Sequence, residues 1–274
     1  ALAGGGPLGA IYEIGALVAL QDALKGVDFT ACDVYVGVSS GGVIASGLAN
    51  GLSPRDIHAM FIENHTAYEA FDPEILLKPA FAEYVRRFAS IPGLALQAME
   101  HWFADPFSKG FLASFQRLGR AIPTGIFDNV GFSAFLAKLL SAPGRTDDFR
   151  ELPHKLFLVA TDLDSGKAVP FGAPGWDHVP ISRAVQASAA LPGLFPPVEI
   201  DGRHYVDGAL MKTLHASVAL KEGARLLLCV NPLVPFNADL THDDDDGWGE
   251  RISLIDRGLP AVMSQTFRAI IHSR

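Results

Sequence analysis

The sequence predicts an α/β fold, and three stretches carry that prediction. Val34 to Asn50 reads as a short apolar strand running through a tight glycine turn into a helix of small residues. Lys155 to Thr161 holds a second buried apolar run, and Val198 to Val206 has the pattern of a hairpin closed by Asp201-Gly202. With 274 residues, 49% hydrophobic and 19% charged, the chain can bury a sizeable core in one large domain, expected to span residues 1–274.

The elements follow in order. A glycine loop, Gly4-Gly5-Gly6-Pro7-Leu8-Gly9, leads into a helix from Ile11 to Lys25, where Ile11, Ile14, Leu17, Val18 and Leu24 recur at helical spacing and Gly26 supplies a stop. Val34 to Val38 is a buried strand, and the small residues of Ser39 to Asn50 imply a helix packed close against a neighbour. Ser53-Pro54-Arg55-Asp56 opens another helix, with a Ser cap, a first-turn Pro and an acid three residues on. Residues 55–150 are helical and Phe-rich: 11 of the 18 Phe lie between Phe61 and Phe135. Phe103, Phe107, Phe111 and Phe115 repeat every four residues, broken by Pro106 and Gly110. This region serves as a core layer, as an apolar cap over an acyl-binding cleft, or as both. Ser182 is read as the cap of a short helix ending near Leu191-Pro192, and Arg225 to Val230 as a last strand.

Composition narrows the function. A net charge of −8 and a pI of about 5.5 argue against nucleic acid, which requires clustered Lys and Arg, and against a purely electrostatic hold on anionic membranes. Hydrophobic contact with lipid stays open. Cys32 and Cys229 match no metal spacing and are read as small buried apolar residues. Asp243 to Asp246 lacks the alternating spacing of a calcium loop and is read as a solvated loop. The uncharged run from Val34 to Pro54 is long enough to span a bilayer, but its Gly and Ser content fits a buried strand, turn and helix instead. No secretory signal is visible, which favours a cytoplasmic or peripheral membrane location. A glycine loop that starts at Gly4 leaves no room for the strand that normally precedes it, so residues upstream of Ala1 are expected, and the end at Arg274 carries no helix stop.

Three motifs carry chemistry. Gly37-Val38-Ser39-Ser40-Gly41 fits the G-x-S-x-G elbow, in which the Ser occupies a strained turn between strand and helix and its neighbours must be small. Ser39 is the candidate nucleophile, with Gly37 and Gly41 as supports. Ser40, one step into the helix, is expected to point away from the elbow tip. The loop Gly4 to Gly9 brings backbone N–H groups close to a ligand ahead of a helix, an arrangement suited to an oxyanion. Its letters also satisfy G-x-G-x-x-G, but the next strand ends in the elbow rather than in an acid, and Asp28 and Asp33 precede that strand. Asp207-Gly208-Ala209 places a carboxylate at a strand end, where open α/β sheets build their sites. Asp162 and Asp164 compete for the acid role and are read as structural. His215, His242 and His272 follow Asp207, but none sits in a convincing loop after a late strand, and His215 reads as part of a helix from Met211 to Lys221.

These residues resemble the patatin-like phospholipase family. The likeness rests, in order, on Gly4 to Gly9, Gly37 to Gly41, Ala160 to Gly166, Ala187-Ser188-Ala189-Ala190-Leu191-Pro192 with Phe195-Pro196-Pro197, and Asp207-Gly208-Ala209. The resemblance implies a three-layer α/β/α sandwich with a mainly parallel sheet and a helical cap. It also implies a Ser39–Asp207 dyad without histidine, and an oxyanion hole from Gly4, Gly5 and Gly6 supported by Gly9 and Gly208. No metal or other cofactor is implied, and the partner would be a lipid or another acyl ester, with peripheral membrane contact open. Leu8 stands where family members often carry Arg or Lys, which weakens any phosphate head-group reading. The alternatives are a non-catalytic lipid-binding protein that keeps the fold and a dinucleotide-binding enzyme.

Overall fold

The computed structural model describes residues 1–64, 71–104 and 122–233, together with Val262, Gln265 and Thr266. Its centre is β2 (Lys155–Asp162), and every other strand is placed relative to it. β1 (Val34–Val38) runs parallel to its first half, with Val38 opposite Val159. β3 (Ala168–Phe171) and β5 (Arg203–Asp207) run antiparallel along its second half, with Ala160 opposite Asp207. β4 (Val198–Ile200) pairs with β5 through a two-residue turn in which Asp201 and Gly202 have φ of 51° and 73°, the left-handed pair that such hairpins require. β1 and β5 therefore follow one another along one edge of β2, and β3 takes the other edge.

Side chains alternate across β2, and so divide the core into two layers. Leu156, Leu158 and Ala160 face α1 (Gly6–Ala23), α2 (Ser40–Ala49), α3 (Pro54–His58), α5 (Val130–Leu140) and α6 (Ile181–Ser188). Phe157 and Val159 face the short α7 (Ser217–Lys221), packed with Val36, Val38 and Ala219. This is an α/β/α layering with one thick and one thin helical layer among the described residues. α4 (Phe81–Ala104) is the longest helix in the Phe-rich region. There, Phe61, Phe71, Phe132 and Phe135 stack on one another in the core, whereas Phe81 and Phe88 are exposed. Phe107, Phe111 and Phe115 lie outside the described residues, as do Asp243 to Asp246, His242 and His272. Val34 to Pro54 is a strand, elbow and helix, and no described helix is long and apolar enough to cross a membrane.

Several local expectations change in the folded chain. α1 begins at Gly6 because Pro7 pre-sets the first-turn backbone. α3 has the Ser53 cap, and Asp56 completes a capping box by accepting from the Ser53 amide at 2.9 Å. Ser182 is not a cap. It lies inside α6, whose first turn is capped from a distance by Asp147, which accepts from the Ser182 amide and hydroxyl at 2.7 Å each. Arg225 to Val230 is not a strand beyond a single parallel bridge between Val230 and Leu2. Leu226 is accordingly exposed, and so is Cys229, which the sequence reading had buried; Cys32 is half-buried. The helix expected from Met211 shortens to α7. Asp207 instead caps a 3-10 turn at Gly208–Leu210, and the Thr213 carbonyl is drawn to the glycine loop.

Glu13 is an unusual core residue, fully buried on α1, and among the described residues neither carboxyl oxygen has a hydrogen-bond partner of normal geometry. Burial pushes it from 4.5 up to about 9, opposed only in part by the Ala3 backbone. A carboxyl whose folded value lies above its unfolded one binds more protons when folded, so its contribution is complete below about pH 4.5 and is lost as pH rises towards 9. Unfolding free energies from denaturant titrations between pH 5 and 9 should fall with a slope of up to about 1.4 kcal/mol per pH unit, and Glu13→Gln should flatten that slope. Parallel curves for the two proteins would exclude Glu13 as its source.

Candidate active site

β1 delivers Ser39. The strand ends at Val38 and α2 begins at Ser40, so Ser39 alone makes the turn. Its backbone lies at φ 51° and ψ −122°, a region that costs an L-residue about 1–3 kcal/mol and persists only where the surroundings enforce it. Two hydrogen bonds enforce it here. The Ser39 amide donates to Ser188 Oγ at 2.9 Å, and the Gly42 amide donates to the Ser39 carbonyl at 2.9 Å. Close packing adds to them: a Cβ on Gly41 would lie 2.5 Å from the Ala3 carbonyl oxygen, and one on Gly37 would lie 2.5 Å from Gly42 Cα.

β5 delivers Asp207. Its partner on β2 is Ala160, the residue after the Val159 that faces Val38, so adjacent positions of one strand set both side chains. The Asp207 amide donates to the Ala190 carbonyl at 3.0 Å, its carbonyl accepts from Thr161 Oγ1 at 3.1 Å, and Oδ1 accepts from the Ala209 amide at 2.8 Å. Asp207 is only 3% exposed and Ser39 only 7%. Burial pushes the Asp207 carboxyl from 3.8 up to about 6, against the opposing hydrogen bonds from the Ala209 amide and the Ser39 side chain. Gly208 permits this placement, since a Cβ there would sit 2.1 Å from the Val159 carbonyl oxygen.

The glycine loop closes the third side. A Cβ on Gly4 would meet Ser39 Cβ and Ala209 Cβ at 3.1 Å each, so all three sequence motifs converge on one point. The loop amides are not equivalent. Gly4 donates to the Thr213 carbonyl at 3.0 Å and Gly5 to Ser40 Oγ at 3.0 Å. Gly6, with φ 62° at the start of the 18-residue α1, has no acceptor for its amide among the described residues. Gly9 ties the loop down through its amide, which donates to the Gly5 carbonyl at 3.0 Å.

The competing residues lie elsewhere or are otherwise engaged. Asp162 accepts from the Asp164 and Ser165 amides at 3.0 and 3.3 Å and pairs with Arg203, while Asp164 is exposed. His215 is buried ahead of α7, with Nε2 3.5 Å from the Gly208 carbonyl, and burial lowers its pKa. Asp28 bonds the amide and hydroxyl of Thr30 within its own turn. Among the described residues no three His, Cys, Asp or Glu side chains gather as metal ligands.

The family model for patatin-like phospholipase matches residues 1–220. The chain belongs to the patatin-like phospholipase family. Its relatives include uncharacterized NTE family proteins of Mycobacterium bovis and of two Mycobacterium tuberculosis strains, each 35% identical over 91 residues. That match covers 33% of this chain and 20% of each relative, so the shared stretch is about a fifth of their length. Among solved structures, VipD from Legionella pneumophila is similar with a TM-score of 0.41 and 19% identity, covering 78% of this chain and 46% of VipD.

Sequence reasoning missed three supports of this patatin-like site: Ser188, Thr161 and the role of Ser40 as acceptor for the glycine loop. A lone hydroxyl among the alanines of Ala187 to Ala190 was the available signal for Ser188, since a buried hydroxyl must find a partner. Gly208→Ala should force β2 and β5 apart at Val159, lowering stability by about 1–3 kcal/mol in a thermal or denaturant melt. An unchanged melt would show that the Gly208–Val159 approach is not tight in solution.

Proposed function

We propose that this chain is a serine acyl-ester hydrolase in which Ser39 is the nucleophile and Asp207 its base. The observation that carries the reading is a buried carboxyl, raised to about 6 by desolvation, at the end of β5 one rung along β2 from the strained elbow of Ser39. An ordinary aspartate, near 3.9, is a weak base; desolvation brings Asp207 closer to neutral pH while leaving it ionised there.

The reaction has two steps. Asp207 takes the proton as Ser39 Oγ bonds to the ester carbonyl carbon, and the carbonyl oxygen becomes an oxyanion. The glycine loop receives that charge, though the Gly4 and Gly5 amides already serve the Thr213 carbonyl and Ser40 Oγ. Gly6 offers the free amide, and α1 adds its positive N-terminal end. The bond to the leaving alcohol breaks, the alcohol takes the proton, and an acyl-enzyme remains on Ser39. Water then attacks with Asp207 again as base, releasing the carboxylic acid. No cofactor enters the scheme. The substrate class is a lipid or other acyl ester, and with a net charge of −8 any contact with a lipid surface falls to apolar side chains.

A fluorophosphonate probe should label Ser39, with labelling and ester hydrolysis lost in Ser39→Ala and turnover reduced at least about a thousand-fold in Asp207→Asn. A folded protein that binds lipid but neither labels nor hydrolyses would favour the non-catalytic lipid-binding reading. The base acts when ionised, so kcat/KM should fall as pH drops through about 6. A rate independent of pH between 5 and 7 would remove Asp207 from that role.

A further inference from the structure

We infer that Ser188 is a positioning residue that holds the nucleophile and the base in register, an inference that rests on the Ser39–Asp207 reading above. Ser188 ends α6 with no exposed surface. Its single hydroxyl proton goes to the Val159 carbonyl at 2.6 Å. The oxygen is then left as an acceptor, and it takes the Ser39 amide at 2.9 Å. Val159 faces Val38, directly before the elbow, and its carbonyl oxygen is the atom against which Gly208 packs, directly after Asp207. Two residues beyond Ser188, the Ala190 carbonyl accepts the Asp207 amide at 3.0 Å. The stretch Ser188 to Ala190 therefore grips the backbone of both Ser39 and Asp207, and among the described residues the Ser188 hydroxyl is the side chain that links Ser39 to β2 by hydrogen bonds.

The strain at Ser39 makes this bridge matter. A residue at φ 51° and ψ −122° relaxes to an ordinary conformation unless its amide and carbonyl are fixed. Gly42 fixes the carbonyl and Ser188 fixes the amide. Without the hydroxyl, the Ser39 amide and the Val159 carbonyl both lose a partner in a buried site. Relaxation of the elbow then moves Oγ relative to Asp207 and the glycine loop. Substrate binding to the apolar surroundings does not depend on that contact.

The test compares Ser188→Ala and Ser188→Thr with Ser46→Ala. Ser46 is an equally buried serine whose hydroxyl donates to the Val43 carbonyl and touches neither reacting residue. Ser188→Ala should lower kcat and the fluorophosphonate labelling rate together by about 10- to 100-fold with KM unchanged. Ser188→Thr, which keeps a hydroxyl, should recover most of the loss, and Ser46→Ala should keep normal kcat. Amide hydrogen exchange over residues 38–42 should speed up only in Ser188→Ala. Normal kcat in Ser188→Ala, or an equal loss in Ser46→Ala, would overturn the positioning role. If the wild type neither labels nor hydrolyses, the hydrolase reading fails on its own terms. Unchanged exchange at Ser39 would still overturn the bridge.

Discussion

Ser39 holds a backbone conformation that L-residues avoid, and much of the surrounding structure reads as the means of keeping it there. The energy involved is about 1–3 kcal/mol, a sizeable share of the stability of an ordinary domain, so it must be offset by contacts that a relaxed elbow would break. Those contacts come from three directions. β1 fixes the residue before the turn through its register with β2. α2 fixes the carbonyl through Gly42, and α6 fixes the amide through Ser188. The small residues of Gly37 to Gly42 are the steric condition for this arrangement, since strand and helix approach within the radius of a methyl group.

β2 serves as the common template. Its first half accepts a parallel neighbour that leads into Ser39, and its second half accepts an antiparallel neighbour that ends at Asp207. Two strands entering from opposite directions along the same edge of β2 thus finish at adjacent rungs, Val159 and Ala160, and meet end to end there. The glycine loop reaches the same point from the far side of β1, where Ala1 to Ala3 lie between β1 and Val230.

Two buried carboxyls, Asp207 and Glu13, show how hydrogen bonding sets acidity in an apolar site. Asp207 has the Ala209 amide and the Ser39 side chain, and burial takes it only to about 6. Glu13 lacks a partner of normal geometry among the described residues and is driven to about 9. The first value leaves a group that ionises near neutral pH, suited to accepting a proton; the second leaves a neutral acid that responds to pH chiefly through stability.

The sequence by itself determined the parts whose form depends on neighbouring residues. Val34 to Val38 as a strand, the Asp201-Gly202 hairpin, the Ser53 cap and the turn at Ser39 all follow from local sterics and capping, which a few consecutive residues are enough to specify. The tight elbow at Ser39 and the glycine loop at Gly4 to Gly6 could be singled out for the same reason, whereas the pairing of Ser39 with Asp207 was implied by the family resemblance. Tertiary structure decided everything that depends on partners distant in sequence. It assigned the α6 cap to Asp147 rather than to Ser182 and left Cys229 exposed. It reduced Arg225 to Val230 to one bridge, moved His215 out of a helix, and turned Ser40 towards the glycine loop. It also recruited Ser188, whose hydroxyl gains a role only when β2, the elbow and α6 come within hydrogen-bond reach. Hydrogen bonds and burial are properties of pairs of groups, and local periodicity carries no record of the second member of the pair.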